Sequence, residues 1–80
     1  MAPRLYQVIW KHGLALYENP EASGRDQATL QFGEVFVDTG KRAFPDYQTE
    51  VAQVLTARHG LMWIAAVMLS KTCVYAREVA

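Results

Sequence analysis

The chain is short of the residues that build many functional sites. It has one cysteine, Cys73, and two histidines, His12 and His59, in 80 residues. A single cysteine excludes a disulfide within the chain. With the two histidines so far apart, it does not have the ligand spacing of a structural zinc site. Neither sign of charge dominates: eight basic side chains balance eight acidic ones. A protein that holds nucleic acid through its phosphates needs a basic face, and none is evident. The five glycines, at positions 13, 24, 33, 40 and 60, are too scattered to form a phosphate-cradling loop. A long apolar stretch is missing as well. Leu61–Leu69 is nine residues without a polar side chain, whereas a helical membrane span needs about 20. No apolar segment follows Met1-Ala2-Pro3-Arg4, so no signal peptide is expected. With the lone cysteine, this leads us to expect a soluble, cytoplasmic protein in a reducing interior.

What is present is apolar surface in excess of the volume available to hide it. Hydrophobic residues make up 51% of the composition, above ordinary usage. A chain of this length buries only roughly 60% of its unfolded surface, so it gains from association. The expected fold is α+β: a small single domain over 1–80 in which antiparallel β-hairpins pack against one or two C-terminal helices. The strand-rich part would be 4–44 and the helix-rich part 45–79.

The expectation is built segment by segment. Leu5–Trp10 and Leu14–Tyr17 flank Lys11-His12-Gly13, and aromatic and β-branched content favours a hairpin joining them. The alternative is a helix begun by Pro3. Glu18–Asp26 reads as a solvated acidic loop punctuated by Asn19-Pro20 and Ser23-Gly24. Gln27–Val37 reads as a strand with a possible bulge at Gly33. A turn at Asp38-Thr39-Gly40 would then return Lys41–Phe44 as a short strand. Asp46–Arg58 reads as a helix, with Pro45 at its start, Tyr47, Val51, Val54 and Leu55 on one face, and Gly60 as its left-handed cap. Leu61–Glu78 is expected to be a second helix, because Ser70, Lys71, Arg77 and Glu78 fall on one stripe. A β-hairpin turning at Ser70-Lys71 is the alternative.

Few residues point to chemistry. Val35-Phe36-Val37-Asp38-Thr39-Gly40 resembles the aspartic-protease signature, in which two facing carboxylates share a proton. The resemblance covers six residues. Lys41 departs from the family's small residue, and a cation there would keep Asp38 ionised. The string is therefore read as a turn. Cys73, among Thr72, Val74 and Tyr75, reads as a small core hydrophobe rather than a nucleophile. His59 reads as a helix-end cation and His12 as a turn residue. No catalytic residue, cofactor or metal is expected.

The expected function is that of a non-enzymatic protein-binding module, an inhibitor, adaptor or small assembly subunit of the sort carried by phages and other mobile elements. Its partner would be a protein, most simply a second copy of itself. The expected interface is Trp63, Val67 and Val74, which on a helix would lie opposite the side covered by Tyr47, Val51 and Val54. The alternative is a nucleic-acid-binding regulator that contacts anions through Lys41, Arg42 and Arg58.

Overall fold

In the computed structural model, residues 3–20, 28–44, 50–70 and 72–79 are described. Seven strands run in chain order: β1 (Arg4–Val8), β2 (Leu14–Leu16), β3 (Ala28–Leu30), β4 (Val35–Ala43), β5 (Val51–Thr56), β6 (Gly60–Ala65) and β7 (Ala76–Glu78). A single 3-10 turn, Ala66–Leu69, sits between the last two strands. The protein is mostly β, and the expected α+β class with C-terminal helices is overturned, because the longest helical element among the described residues is that turn.

The strands form a five-stranded antiparallel sheet in the order β6-β5-β4-β1-β7, and β2 pairs with β3 as a separate hairpin. Tyr17 and Trp63 exchange both backbone hydrogen bonds at 2.8 Å, which fastens the hairpin to the open edge of β6. The hairpin and the 3-10 turn lie over one face of the sheet. Between them is one core, in which Phe36, Leu16, Leu30, Ile64, Val8 and Val54 are fully buried. Burying one such side chain is worth about 1.5–3 kcal/mol. Tyr6 stacks on Phe36 with ring centroids 5.7 Å apart, and its hydroxyl donates to the Leu69 carbonyl at 3.3 Å. This ties the 3-10 turn down over β1.

Several local expectations change for identifiable reasons. Leu5–Trp10 and Leu14–Tyr17 do contain strands, yet β1 and β2 do not pair with each other. β1 pairs with β4 and β7, and β2 with β3. Gly13 explains the turn away: at φ +77° it passes so close to β3 that a Cβ would lie 2.3 Å from the Leu30 carbonyl oxygen. The single strand expected over Gln27–Val37 is split into β3 and β4 by a turn at Gln31–Glu34, where Gly33 takes φ +86°.

The helix expected over Asp46–Arg58 is overturned from Val51 onward, because Val51–Thr56 is β5; its start, at 46–49, lies outside the described residues. The spacing of Val51, Val54 and Leu55 is helix-like because this strand carries apolar residues on both faces, which erases the two-residue period. Gly60, at φ +69°, serves a β-turn and caps no helix. Thr56 closes that turn: its hydroxyl donates to the Gly60 carbonyl at 3.0 Å and accepts the His59 N–H at 3.0 Å.

Neither reading of Leu61–Glu78 survives. The segment is strand, 3-10 turn and strand, and β6 and β7 lie at opposite edges of the sheet rather than paired as a hairpin. Trp63 and Ile64 favour an extended β6, and the tertiary pairing with β5 outweighs the helix propensity of Ala65, Ala66 and Met68.

Gly13→Ala should destabilise the protein by about 3 kcal/mol or more, because it adds a clash with the β3 backbone to the left-handed strain. Gly33→Ala, with nothing within 4 Å of the added carbon, should cost about 1–2 kcal/mol. Urea unfolding of the two variants checks the difference; equal losses would contradict the close approach at Gly13.

Candidate functional site

The turn expected at Asp38-Thr39-Gly40 is a bulge in the middle of β4. Asp38 pairs with Val54 and Arg42 with Ala52, so Thr39, Gly40 and Lys41 together face the single residue Gln53. Gly40 absorbs the distortion at φ +92°. Thr39 Oγ1 donates to the Gln53 side-chain oxygen at 3.1 Å. Asp38 holds the bulge from inside. Its carboxylate accepts the Gly40 N–H at 3.0 Å and both guanidinium nitrogens of Arg42, at 2.8 and 2.9 Å.

That arrangement replaces the aspartic-protease resemblance with a structural role. Burial alone would raise the Asp38 carboxyl, but the Arg42 guanidinium and the Gly40 N–H outweigh it and hold Asp38 below the usual carboxylate range. An Asp in this setting keeps its charge, so it cannot share a proton with a second carboxylate.

The cations expected to contact anions are not brought together. Arg42 lies near the end of β4 and is engaged by Asp38. Arg58, in the β5–β6 turn, belongs to the other end of the same strand. It forms an ion pair with Glu34, whose carboxyl it lowers through their hydrogen bonds, and it donates to the Thr29 carbonyl at 3.1 Å. Lys41 is exposed on the bulge. Two of the three charges are therefore already neutralised, and they stand at opposite ends of β4.

The three expected interface residues also separate. Trp63 is buried in its own fold, with 8% of its surface exposed, and lies outside the main core cluster beside Tyr17 and Gln53. Val67 and Val74 are each 66% exposed. They stand on the rim of one apolar concavity of about 230 Å³, with Met68, Thr72, Cys73 and Tyr75 completing it. Met68 and Tyr75 pack against the core from its floor.

The loop that carries Val74 is anchored at both ends. The Tyr75 carbonyl accepts the N–H groups of Ile9 and Trp10 at 2.9 and 3.1 Å, and Trp10 packs edge-on against the Tyr75 ring at 4.9 Å. Cys73 donates its N–H to the Ser70 carbonyl at 3.0 Å, and its sulfur accepts the Tyr75 N–H at 3.3 Å. Cys73 is half-buried and reaches a second concavity of about 190 Å³, between Tyr6, Leu69 and Arg77. Met68, Thr72, Cys73 and Tyr75 are the lining residues that sequence reasoning did not assign to a site. A helical reading gave no reason to group them, because the surface is created by the irregular path of 72–75.

Among the described residues no group of three or more His, Cys, Asp or Glu could hold a metal ion, and no helix is long and apolar enough to cross a membrane. Comparison with protein-family models, curated proteins and solved structures found no match.

The Asp38–Arg42 pair gives a pH signature. Because the folded-state pKa of Asp38 is depressed, its stabilisation is complete above the unfolded carboxylate pKa of about 3.9 and disappears as pH falls through the lower folded value. Asp38→Asn should therefore lose stability at pH 7 and show a flatter acid limb in urea midpoints below pH 4. Arg42→Leu, which strands a carboxylate with 4% of its side-chain surface exposed, should cost about 2–3 kcal/mol at neutral pH. An unchanged acid limb in Asp38→Asn would contradict this account.

Proposed function

We propose that the chain is a non-enzymatic protein-binding module that engages its partner through the apolar C-terminal surface around Val67 and Val74. The observation that carries this reading is the pair of two-thirds-exposed valines flanking a concavity whose floor is fixed to the core. Exposed valines on a rigid, anchored loop are poor solvent-facing design and good interface design, because little conformational freedom is lost when they are covered. An apolar side chain of a partner protein fits the concavity as an anchor. This is the mode expected of an inhibitor, adaptor or assembly subunit working in the cytoplasm. Trp63 drops out of the contact surface: its side chain is buried on the opposite face of the sheet, and its backbone holds the β2–β3 hairpin against β6 through Tyr17. Binding to nucleic acid through Lys41, Arg42 and Arg58 is disfavoured, since two of these cations are engaged by carboxylates.

The test compares proteins retained from an extract of the native host by the wild type, by Val67→Asp/Val74→Asp, and by Phe44→Asp as a remote exposed control. The expected result is a protein held by wild type and control and lost by the double variant, with all three melting within about 2 °C of one another, as surface changes allow. Equal retention by the double variant would refute the reading. So would retention that nuclease or moderate salt abolishes.

A further inference from the structure

The sheet buries one face. On the other, among the described residues of its strands, only Val51 and Trp63 are covered, at 6 and 8% exposed, and the part built on Leu5, Val37, Leu55 and Leu61 meets water. Along its strands the core face takes Tyr6 and Val8, Phe36 and Asp38, Val54 and Thr56, and Met62 and Ile64. By alternation the residues between them point outward. An antiparallel sheet with one solvated face ordinarily presents polar side chains there. This one does not. Leu5 pairs with Val37, Val37 with Leu55, and Leu55 with Leu61. Val79, just beyond β7, donates its N–H to the Leu5 carbonyl at 2.8 Å and extends the row.

Five apolar residues thus stand side by side across all five strands, a ladder of about 19 Å at the usual strand spacing. Leu5, Leu55, Leu61 and Val79 are 41, 48, 56 and 37% exposed. Val35, also on this face and 41% exposed, widens the ladder beside Val37.

We infer that this outer face is a dimerisation surface, and that what covers it is the same face of a second copy of this chain. Three features favour a second copy. The ladder carries no charge, and Gln7, Thr39 and Gln53 flank it on β1, β4 and β5. The cations of this face, Arg77 opposite Gln7 on β7 and Lys41 on the bulge of β4, stand off the ladder on opposite sides and two strands apart, so a two-fold axis running across the strands along the ladder brings no like charges together. The whole chain has formal net charge zero, so two copies meet without long-range repulsion. The shape is self-complementary: two such sheets stack with their strands aligned within about 30°, each ladder lying in the other's grooves.

The footprint sets the strength. With three residues on β7, five on β1 and about six on each of β4, β5 and β6, at about 4.8 by about 3.3 Å per residue, the face covers roughly 410 Å² per copy, about 800 Å² in total. That is below the size of a specific, stable interface, so the dimer is a weak, reversible one, with a dissociation constant on the order of 100 µM. The ladder lies on the side of the sheet away from the core, whereas the Val67–Val74 concavity is built on elements that pack over the core face. One chain can therefore dimerise and hold a partner at once.

Sedimentation velocity from about 5 µM to about 1 mM, a range chosen to bracket that constant, tests the inference. The mass should rise from monomer towards dimer with concentration. Leu55→Glu should remain monomeric throughout, and Leu61→Glu, on the edge strand, serves if Leu55→Glu fails to fold. Val74→Asp should dimerise like the wild type. Amide shifts that move with concentration should fall on 5, 37, 55 and 61. A wild type that stays monomeric overturns the inference, as does a Leu55→Glu or Leu61→Glu chain that still dimerises. Dimerisation lost only in Val74→Asp, with shifts confined to 67–75, would also overturn it and assign self-association to the C-terminal surface instead.

Discussion

The Asp38 carboxylate, closed by Arg42 and the Gly40 N–H, is the contact on which the rest of the architecture depends. β4 lies between β1 and β5, so both halves of the five-stranded sheet are hydrogen-bonded to it. A nine-residue strand that stayed straight would leave a small sheet too flat to wrap a core. The three-against-one bulge opposite Gln53 lets β4 bend, since bulges add twist and change a strand's direction. Holding a buried carboxylate at this place is costly unless its lone pairs are satisfied. The bidentate guanidinium and one backbone N–H supply that, and they make the bulge a fixed feature rather than a soft one.

With β4 bent, the remaining chain divides into two layers. The β2–β3 hairpin and the 3-10 turn cover the concave face, and the mutual hydrogen bonds of Tyr17 and Trp63 set the hairpin against the β6 edge. This arrangement uses the apolar residues of β1, β4, β5 and β6 that point inward and leaves those that point outward without cover. Apart from Phe32 and Phe44, which are exposed elsewhere, the uncovered large apolar side chains gather on two surfaces: the concavity between Val67 and Val74, and the ladder from Val79 to Leu61. A chain of this size has few ways to hide such surface by itself, which links its marginal core to the association proposed for both.

The strand content of the first half was legible, because Leu5–Trp10, Tyr17 and Val35–Val37 supply aromatic and β-branched residues beside glycine punctuation. The pairing was not, because nothing local says that β1 skips its neighbour and pairs with β4 and β7. The second half misleads for a physical reason. β5 and β6 carry apolar side chains on both faces, so the alternation that marks a half-buried strand is absent and the spacing of Val51, Val54 and Leu55 imitates a helix. Ala65, Ala66 and Met68 add real helix propensity, and the chain answers it there with the 3-10 turn Ala66–Leu69. The Asp-Thr-Gly string pointed to a turn because glycine at positive φ more often ends a strand than bends one. Arg42, four residues from Asp38, was the available sign of an internal clamp. Of the expected interface, Val67 and Val74 lie at the surface over the core face, and Trp63 is buried on the opposite face of the sheet. That division follows from strand geometry, which turns Trp63 and Leu61 to the same face but lets only the second reach open water.

Backbone register around the bulge tests this account most directly. Cross-strand nuclear Overhauser contacts measured on the uniformly labelled protein should link Asp38 with Val54 and Arg42 with Ala52 in the same molecule, with Thr39, Gly40 and Lys41 gathered opposite Gln53. Contacts between Val37 and Lys41 or Arg42, the mark of a hairpin reversing at Asp38–Gly40, would contradict it, and with it the bent sheet and both surfaces derived from that sheet.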